Sequence, residues 1–230
     1  MRTGGTVTET VTLSSGTPVY VARPAEDPVR GLVLFPDIGG LRPLFVGMCD
    51  ALAADRGWAV AAVELWPGQE TLPLETRLER VGSLDDARFM ADGTEAAALL
   101  DVAPVAALGF CMGGMLALKA ASLAEFDRVV SCYGMVRLPD QWRSPSMADA
   151  IDGLRIGGDA VAAKVLAVVG TSDPYVPPRD VEDLEALGAS VVRYEGAEHG
   201  FMHDPSRPAH RADDAQDAWQ RISAWLDVAP

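Results

Sequence analysis

The sequence predicts an α/β fold, with a mostly parallel central sheet and helices on both of its faces. Two observations carry this prediction. Uninterrupted apolar runs of strand length, such as 31–35 and 105–108, are typical of parallel strands that are buried on both sides. These runs alternate with segments of helical length, which indicates consecutive βαβ units. No linker, repeat or low-complexity tract divides the 230 residues, so one domain over 1–230 is expected.

The N-terminal part is expected to form a hairpin, a buried strand and a helix. Residues 6–13 alternate Val, Thr and Glu, as a half-exposed strand does. After a Ser-Ser-Gly turn, residues 18–22 can return as the partner strand. The apolar strand at 31–35 comes next. Residues 44–56 then have the pattern of a helix, which Gly57 ends.

The middle of the chain continues the alternation. Residues 58–63 form the next apolar run, and a long loop follows over about 66–74. Residues 83–100 are predicted to be helical, with Ser83 as the N-cap. Farther on, the segment 136–160 contains prolines and a glycine pair. It is expected to be an irregular excursion above the sheet.

The C-terminal part supplies the remaining strands and a closing helix. The runs at 129–133, 164–169 and 190–194 predict strands, and 181–187 predicts a helix between the last two strands. Residues 212–226 have the spacing of an amphipathic helix.

The composition limits the classes of function. The formal net charge is −14 at pH 7 and 49% of the residues are hydrophobic. These values indicate a globular chain and argue against a nucleic-acid or acidic-membrane partner. The uncharged stretch 102–118 is shorter than the ~20 residues that a membrane span needs, and it contains Pro104. A buried strand followed by a buried helix explains this stretch better.

Cysteine usage bears on compartment and cofactors. Cys49, Cys111 and Cys132 are too few and too scattered for a disulfide framework or a zinc site. They are typical of a reducing compartment, and the N-terminus has no secretory pattern. We therefore expect a cytoplasmic protein, a monomer or small homo-oligomer, that uses no metal or other cofactor and whose partner is a small molecule.

The motif Gly109-Phe110-Cys111-Met112-Gly113-Gly114 is the most specific chemical signal. It lies between an apolar run of strand length and a run of helical length. Strand, glycine-flanked turn and helix together predict a nucleophile elbow of the kind found in α/β-hydrolases, with cysteine where serine is usual. A helix N-terminus beside the thiol favours thiolate and oxyanion alike. The alternative is a buried structural cysteine in a glycine-rich packing contact.

A cysteine nucleophile needs a base, and the base needs an orienting acid. In this fold the order along the chain is nucleophile, acid, base. Asp173 follows the strand that ends near 169, and His199 follows the strand at 190–194, so both are expected at the carboxyl edge of the sheet. Asp173 precedes a proline and could instead be a turn former. The neighbouring Glu198 is expected to be a loop carboxylate.

The loop at 35–40 is the fourth part of the predicted site. In this fold the loop after the third strand supplies one oxyanion-hole amide, and the residue after the nucleophile supplies the other. We assign these amides to Ile38 and Met112. The glycine pair at 39–40 could also be a plain tight turn.

The chain resembles the dienelactone hydrolase (carboxymethylenebutenolidase) family. The spacing agrees from about 31 to 226. The motifs that carry the resemblance are G-x-C-x-G-G at 109–114, D-I-x-G at 37–40, Tyr-Gly at 133–134, G-x-x-D at 170–173 and A-x-H-x-F at 197–201. The resemblance implies that Cys111, Asp173 and His199 are nucleophile, acid and base.

Two departures from the family pattern affect the resting thiol and the substrate. Asp37 takes the place of a glutamate that in the family interacts with the thiol and controls its ionisation. His203 takes the place of an arginine that holds the substrate carboxylate. Histidine binds anions more weakly and only when protonated, which favours neutral over carboxylated substrates. A second substrate arginine of the family corresponds to Arg77 or Arg80.

The remaining candidates for the substrate pocket are Trp66, Tyr133, Phe201 and His203, each of which could equally be a packing residue. The expected function is hydrolysis of an ester or lactone by a Cys-Asp-His triad. Two alternatives stay open. One is an esterase or thioesterase of the same fold with a different, neutral substrate. The other is a non-enzymatic ligand-binding or thiol-redox protein.

Overall fold

One eight-stranded sheet organises the computed structural model, which describes residues 5–228. In chain order its strands are β1 (Val7–Thr12), β2 (Pro18–Arg23), β3 (Arg30–Phe35), β4 (Trp58–Val63), β5 (Val105–Phe110), β6 (Phe126–Cys132), β7 (Val165–Gly170) and β8 (Ser190–Tyr194). The order across the sheet is β1-β2-β4-β3-β5-β6-β7-β8. β2 pairs antiparallel with β1 and β4, and all other pairs are parallel. The predicted α/β fold is confirmed.

Helices cover both faces of this sheet. They are α1 (Pro43–Arg56), α2 (Leu74–Arg80), α3 (Asp86–Leu99), α4 (Met112–Ala120), α5 (Ala150–Ala162), α6 (Pro178–Ala186) and α7 (Ala212–Asp227). One hydrophobic core joins the sheet to α1 and α7. A second core joins the other face to α3, α4, α5 and α6. Successive side chains of each buried strand point to opposite faces of the sheet, so each strand contributes to both cores.

The strands that apolar runs predicted are buried, which explains why the sequence shows them clearly. Every residue of β3, β4, β5 and β7 is buried. β1 lies at the edge of the sheet and is largely exposed, which matches its Val, Thr and Glu alternation. No helix within residues 5–228 is long and apolar enough to cross a membrane. The uncharged stretch at 102–118 divides between β5 and α4.

Three local predictions need correction. The third helix begins at Asp86 rather than at Ser83, because the carboxylate of Asp85 accepts the amide of Ala87 at 2.9 Å and caps it. The segment after the predicted loop forms α2, which had no counterpart among the predicted elements. The excursion at 136–160 is not irregular throughout, since most of α5 lies within it.

The fold positions a site at one edge of the sheet. The six strands from β3 to β8 run parallel, so their carboxyl ends and following loops meet at the same edge. Cys111 follows β5, Asp173 follows β7 and His199 follows β8. Residues that are far apart in sequence are thereby brought to one rim.

Candidate active site

Cys111 lies on a sharp turn between β5 and α4. Its φ of 56° and ψ of −118° form a conformation that costs a non-glycine residue about 1–3 kcal/mol. A Cβ on Gly109 would lie 1.9 Å from the carbonyl oxygen of Gly113, and a Cβ on Gly113 would lie 2.0 Å from that of Phe35. Close packing therefore requires both glycines. The turn leaves the Cys111 thiol half-buried at the N-terminus of α4.

Asp173 and His199 form the second part of the site. The His199 Nδ1 atom lies 2.8 Å from Asp173 Oδ2, and the Asp173 side chain has no solvent exposure. The other carboxylate oxygen accepts the amide of Tyr175 at 2.8 Å. An ionised carboxylate only accepts hydrogen bonds, so Nδ1 of His199 donates to Asp173. The carboxylate that holds the imidazole is thus Asp173 and not Glu198.

The surroundings of His199 favour its charged form. Burial opposes the charge, but hydrogen bonds with Asp173 and Cys111, together with their negative charges, raise the pKa of His199 to about 9. The Asp173 carboxylate therefore stabilises a protonated imidazole at the cavity that Cys111 also lines. This pairing allows the imidazole to exchange a proton with groups that react at the sulfur.

The loop after β3 is held in a defined shape. The Asp37 carbonyl accepts the amide of Gly40 at 2.9 Å, and the Asp37 side chain accepts the amide of Gly39 at 2.8 Å. The Ile38 amide has no hydrogen-bond acceptor within residues 5–228. Met112 is the first residue of α4, so its amide lies outside the helical hydrogen-bond ladder. Neither amide thus has an acceptor in the described part of the chain, and both residues line a cavity with Cys111.

Asp37 does not hydrogen-bond the Cys111 thiol, contrary to what the family resemblance implies. Its carboxylate accepts Arg42 Nη2 at 2.9 Å and His203 Nε2 at 2.8 Å, as well as the amide of Gly39. Burial would raise the pKa of Asp37, but the hydrogen bonds from His203 and Arg42 and their charges hold that pKa well below its usual value. The short side chain folds back on its own loop and its acceptors are occupied.

His203 does not face a substrate. Its side chain is fully buried and lies 5.1 Å from the ring of Phe110. Burial lowers the pKa of His203 and outweighs the hydrogen bond with Asp37. Nε2 donates to the Asp37 carboxylate, and Nδ1 forms a hydrogen bond with the hydroxyl of Tyr133 at 2.5 Å. Because both ring nitrogens are occupied, His203 is not available as an anion partner.

The other predicted pocket residues also lie outside the cavity. Tyr133 and Phe201 are fully buried and pack edge to face. Trp66 and Arg77 are buried behind the loop at 37–40, where both donate to the carbonyl of Ile38. Arg80 is exposed and donates to Gln69. These residues pack or support the site, and none of them lines it.

A cavity of about 470 Å³ opens at Cys111. Its wall is mostly apolar, with charged groups on one side. The lining comprises Asp37, Ile38, Gly39, Arg42, Leu74, Leu78, Val81, Cys111, Met112, Met135, Trp142, Tyr175, His199, Asp204 and Arg207. Within residues 5–228, no group of three or more His, Cys, Asp or Glu side chains could hold a metal ion.

Several lining residues were missed by the sequence analysis. Leu74, Leu78 and Val81 recur at helical spacing along α2 and the turn after it, a pattern that could have identified this wall. Trp142 projects from the excursion at 136–160 and offers no such pattern. Arg207 lies eight residues after the candidate base, on a loop whose path the sequence does not reveal.

Comparisons with known proteins identify the family to which the chain is similar. The family model described as "Dienelactone hydrolase family" matches residues 17–229. A Methylorubrum extorquens protein assigned as a carboxymethylenebutenolidase is 30% identical over 91% of this chain and 76% of its own. The carboxymethylenebutenolidase of Rhodococcus opacus is 29% identical, over 85% of this chain and 80% of its own. A Klebsiella pneumoniae crystal structure, assigned as a dienelactone hydrolase, superposes with a TM-score of 0.81 at 25% identity, covering 98% of this chain and all of the other.

Proposed function

The chain is a hydrolase of the dienelactone hydrolase family, and we propose that it cleaves a small carboxylic ester or lactone with Cys111 as the nucleophile. One observation carries this proposal: Cys111 occupies a strained elbow in the wall of a cavity that His199 also lines, and Asp173 orients His199. A protein that only binds a ligand has no need of this arrangement. We further propose that the chain acts as one domain, and that it is cytoplasmic, because its three cysteines are all free.

In the proposed first step the Cys111 sulfur attacks the substrate carbonyl carbon. The carbonyl electron pair moves to oxygen, where the amides of Ile38 and Met112 donate to the developing oxyanion. When the tetrahedral intermediate collapses, the carbon–oxygen bond to the alcohol breaks. His199 gives its proton to the departing oxygen, leaving a thioester on Cys111. A lactone substrate keeps its alcohol tethered to the acyl group.

The second step returns the enzyme to its starting state. His199, now neutral, takes a proton from a water molecule as that water attacks the thioester carbonyl. The same two amides hold the second oxyanion. Collapse breaks the carbon–sulfur bond, releases the carboxylic acid and restores the sulfur beside protonated His199. Asp173 keeps the imidazole in the required tautomer throughout both steps.

Acyl-enzyme trapping tests this proposal. Mixing the protein with an activated aryl ester and quenching in acid within milliseconds is expected to give an acylated peptide that contains Cys111. Mass spectrometry of the digest locates the modification. Acylation at another residue, or turnover at full rate with no acyl group on Cys111 at any time, would contradict the proposal.

We expect Arg207, rather than His203, to bind a negatively charged group of the substrate. Arg207 lines the cavity and also a neighbouring groove of about 480 Å³ on the other side of His199. Within residues 5–228 its guanidinium has no hydrogen-bond or ion-pair partner, whereas Arg42 is committed to Asp37. The argument for neutral substrates rested on His203 and does not hold for this arrangement.

We expect Arg207→Gln to raise KM about 10-fold for an ester with a carboxylate on its acyl group, because a hydrogen bond to a charged group contributes roughly 1.5–3 kcal/mol. KM for a neutral ester of the same size should stay within about 2-fold, since the contact is remote from the reacting carbonyl. Arg80→Gln removes the same charge outside the cavity and is the matched control. An equal rise in KM for both variants would show a long-range charge effect and remove Arg207 from the binding site.

A further inference from the structure

We infer that Arg77 is a positioning residue for the hydrolysis, and that together with Trp66 it fixes the backbone carrying the Ile38 amide. The sequence made both side chains candidates for the substrate pocket, but the structure places them behind the loop at 37–40. The inference rests on the proposed function, because an oxyanion-binding amide matters only if acyl transfer takes place at Cys111.

Arg77 is a buried cation whose three hydrogen bonds all go to backbone carbonyls. Only 5% of the residue is exposed. Its Nε donates to Leu72 at 3.0 Å, Nη1 to Ile38 at 3.0 Å and Nη2 to Glu70 at 2.5 Å. No carboxylate hydrogen-bonds it within residues 5–228. A buried guanidinium is tolerated only when its donors are hydrogen-bonded. The side chain is thus committed to tying α2 and the loop before it to the Ile38 carbonyl.

Trp66 completes the support from the same side. Its Nε1 donates to the Ile38 carbonyl oxygen at 2.8 Å, so that oxygen accepts two hydrogen bonds, the number its lone pairs allow. Glu64 links the two loops farther along, since its carboxylate accepts the amides of Trp66 at 2.6 Å and of Leu41 at 2.9 Å. The loop is therefore anchored at two points to the chain that follows β4.

These contacts determine the orientation of two successive peptide groups. The peptide between Ile38 and Gly39 is held at its carbonyl by the two side-chain donors and at its N–H by Asp37 Oδ1, at 2.8 Å. The preceding carbonyl, that of Asp37, accepts the amide of Gly40 at 2.9 Å. The Ile38 N–H is the group left without an acceptor in the described part of the chain. Releasing the Ile38 carbonyl would free one end of the Ile38–Gly39 peptide, and the Ile38 backbone that carries the unpaired N–H could then shift with it.

A misplaced Ile38 amide should slow ester hydrolysis at Cys111 but not alkylation of its thiol. Attack on an ester carbonyl builds negative charge on oxygen, and removal of a well-placed donor there costs about 10²–10³-fold in kcat. Alkylation by iodoacetamide displaces iodide from a saturated carbon and forms no oxyanion at a carbonyl. The ratio of the two rates therefore reports on the oxyanion amides separately from the thiol.

The test uses Arg77→Met and Trp66→Phe, with both rates measured on the full-length protein. We expect Arg77→Met to lower kcat for an aryl ester about 10- to 100-fold, with KM within about 3-fold, because the amide is displaced and not deleted. Trp66→Phe keeps an aromatic ring and removes one donor, so a smaller loss of about 3- to 10-fold is expected. Alkylation of Cys111 should change less than about 2-fold in both variants.

Arg23→Met is the matched control for a purely structural arginine. Arg23 also donates to backbone carbonyls, those of Leu99 and Leu100, at 2.6 and 2.9 Å, and it does not line the cavity. We expect it to change thermal stability without changing the ratio of hydrolysis to alkylation. If Arg77→Met fails to fold, Trp66→Phe decides the question by the same ratio.

Two results would overturn the inference. One is wild-type kcat in folded Arg77→Met or, where that variant does not fold, in Trp66→Phe. The other is a loss of alkylation as large as the loss of hydrolysis, which would mean that the side chains act on the thiol or on the fold as a whole. Hydrolysis that survives Cys111→Ala would instead remove the proposed function, and the inference with it, so the two failures are distinguishable.

Discussion

Cys111→Ala is expected to lower kcat for ester hydrolysis by about 10⁴-fold or more, because the residual activity would come from the oxyanion amides and binding alone. The cavity and both amides would remain in this variant, so KM should change little. Steady-state turnover of a 4-nitrophenyl ester measures the loss. One equivalent of iodoacetamide should inactivate the wild-type protein to the same extent.

The other two cysteines provide the control. Cys49 and Cys132 are buried. Burial raises the pKa of Cys49 to about 12 and also raises that of Cys132, so neither forms a reactive thiolate at neutral pH. Cys49→Ala should keep wild-type turnover and remain sensitive to iodoacetamide. Full activity in Cys111→Ala would end the assignment of the nucleophile.

The parts of the site that could be predicted from sequence are those encoded by local backbone requirements. Gly109 and Gly113 mark the elbow because no side chain fits at either position. Asp173 and His199 could be placed because each directly follows a buried strand, and parallel strands end at one edge. In each case the position follows from where an apolar run ends, because parallel strands end at the same edge of the sheet.

The directions of side chains on loops could not be predicted in the same way. Trp66, Arg77 and His203 were candidates to face a substrate, yet all three turn towards the loop at 37–40. Their direction is set by the backbone carbonyl or carboxylate that each reaches, and those acceptors are distant in sequence. Polar and aromatic residues near an active site therefore give the same sequence signal whether they line the site or support it.

The structure of the excursion at 136–160 was hidden for a different reason. α5 contains glycines, and one of them, Gly158, interrupts the helix with a φ of 65°. Low helix propensity masked the buried face formed by Ile151 and Leu154. The same segment delivers Trp142 to the cavity. Tertiary packing, which the sequence does not display, overrides local preference here.

His199→Ala is expected to lower kcat about 10³- to 10⁵-fold, and adding Asp173→Asn to that variant should cost less than a further ~10-fold. Asp173 acts through the imidazole, since its Oδ2 lies 2.8 Å from His199 Nδ1. Once the ring is removed, Asp173 has nothing to orient, which is why the two losses should be strongly coupled. Asp173→Asn alone should be severe, because an amide can donate to Nδ1 and favour the wrong tautomer. A double-mutant cycle on kcat, with circular dichroism to verify folding, measures the coupling.

Glu198→Gln is the matched control, as Glu198 borders the neighbouring groove rather than the cavity at Cys111, and it should retain turnover within about 3-fold. If the His199 and Asp173 losses multiplied instead, Asp173 would act independently of the imidazole and the proposed triad would be wrong.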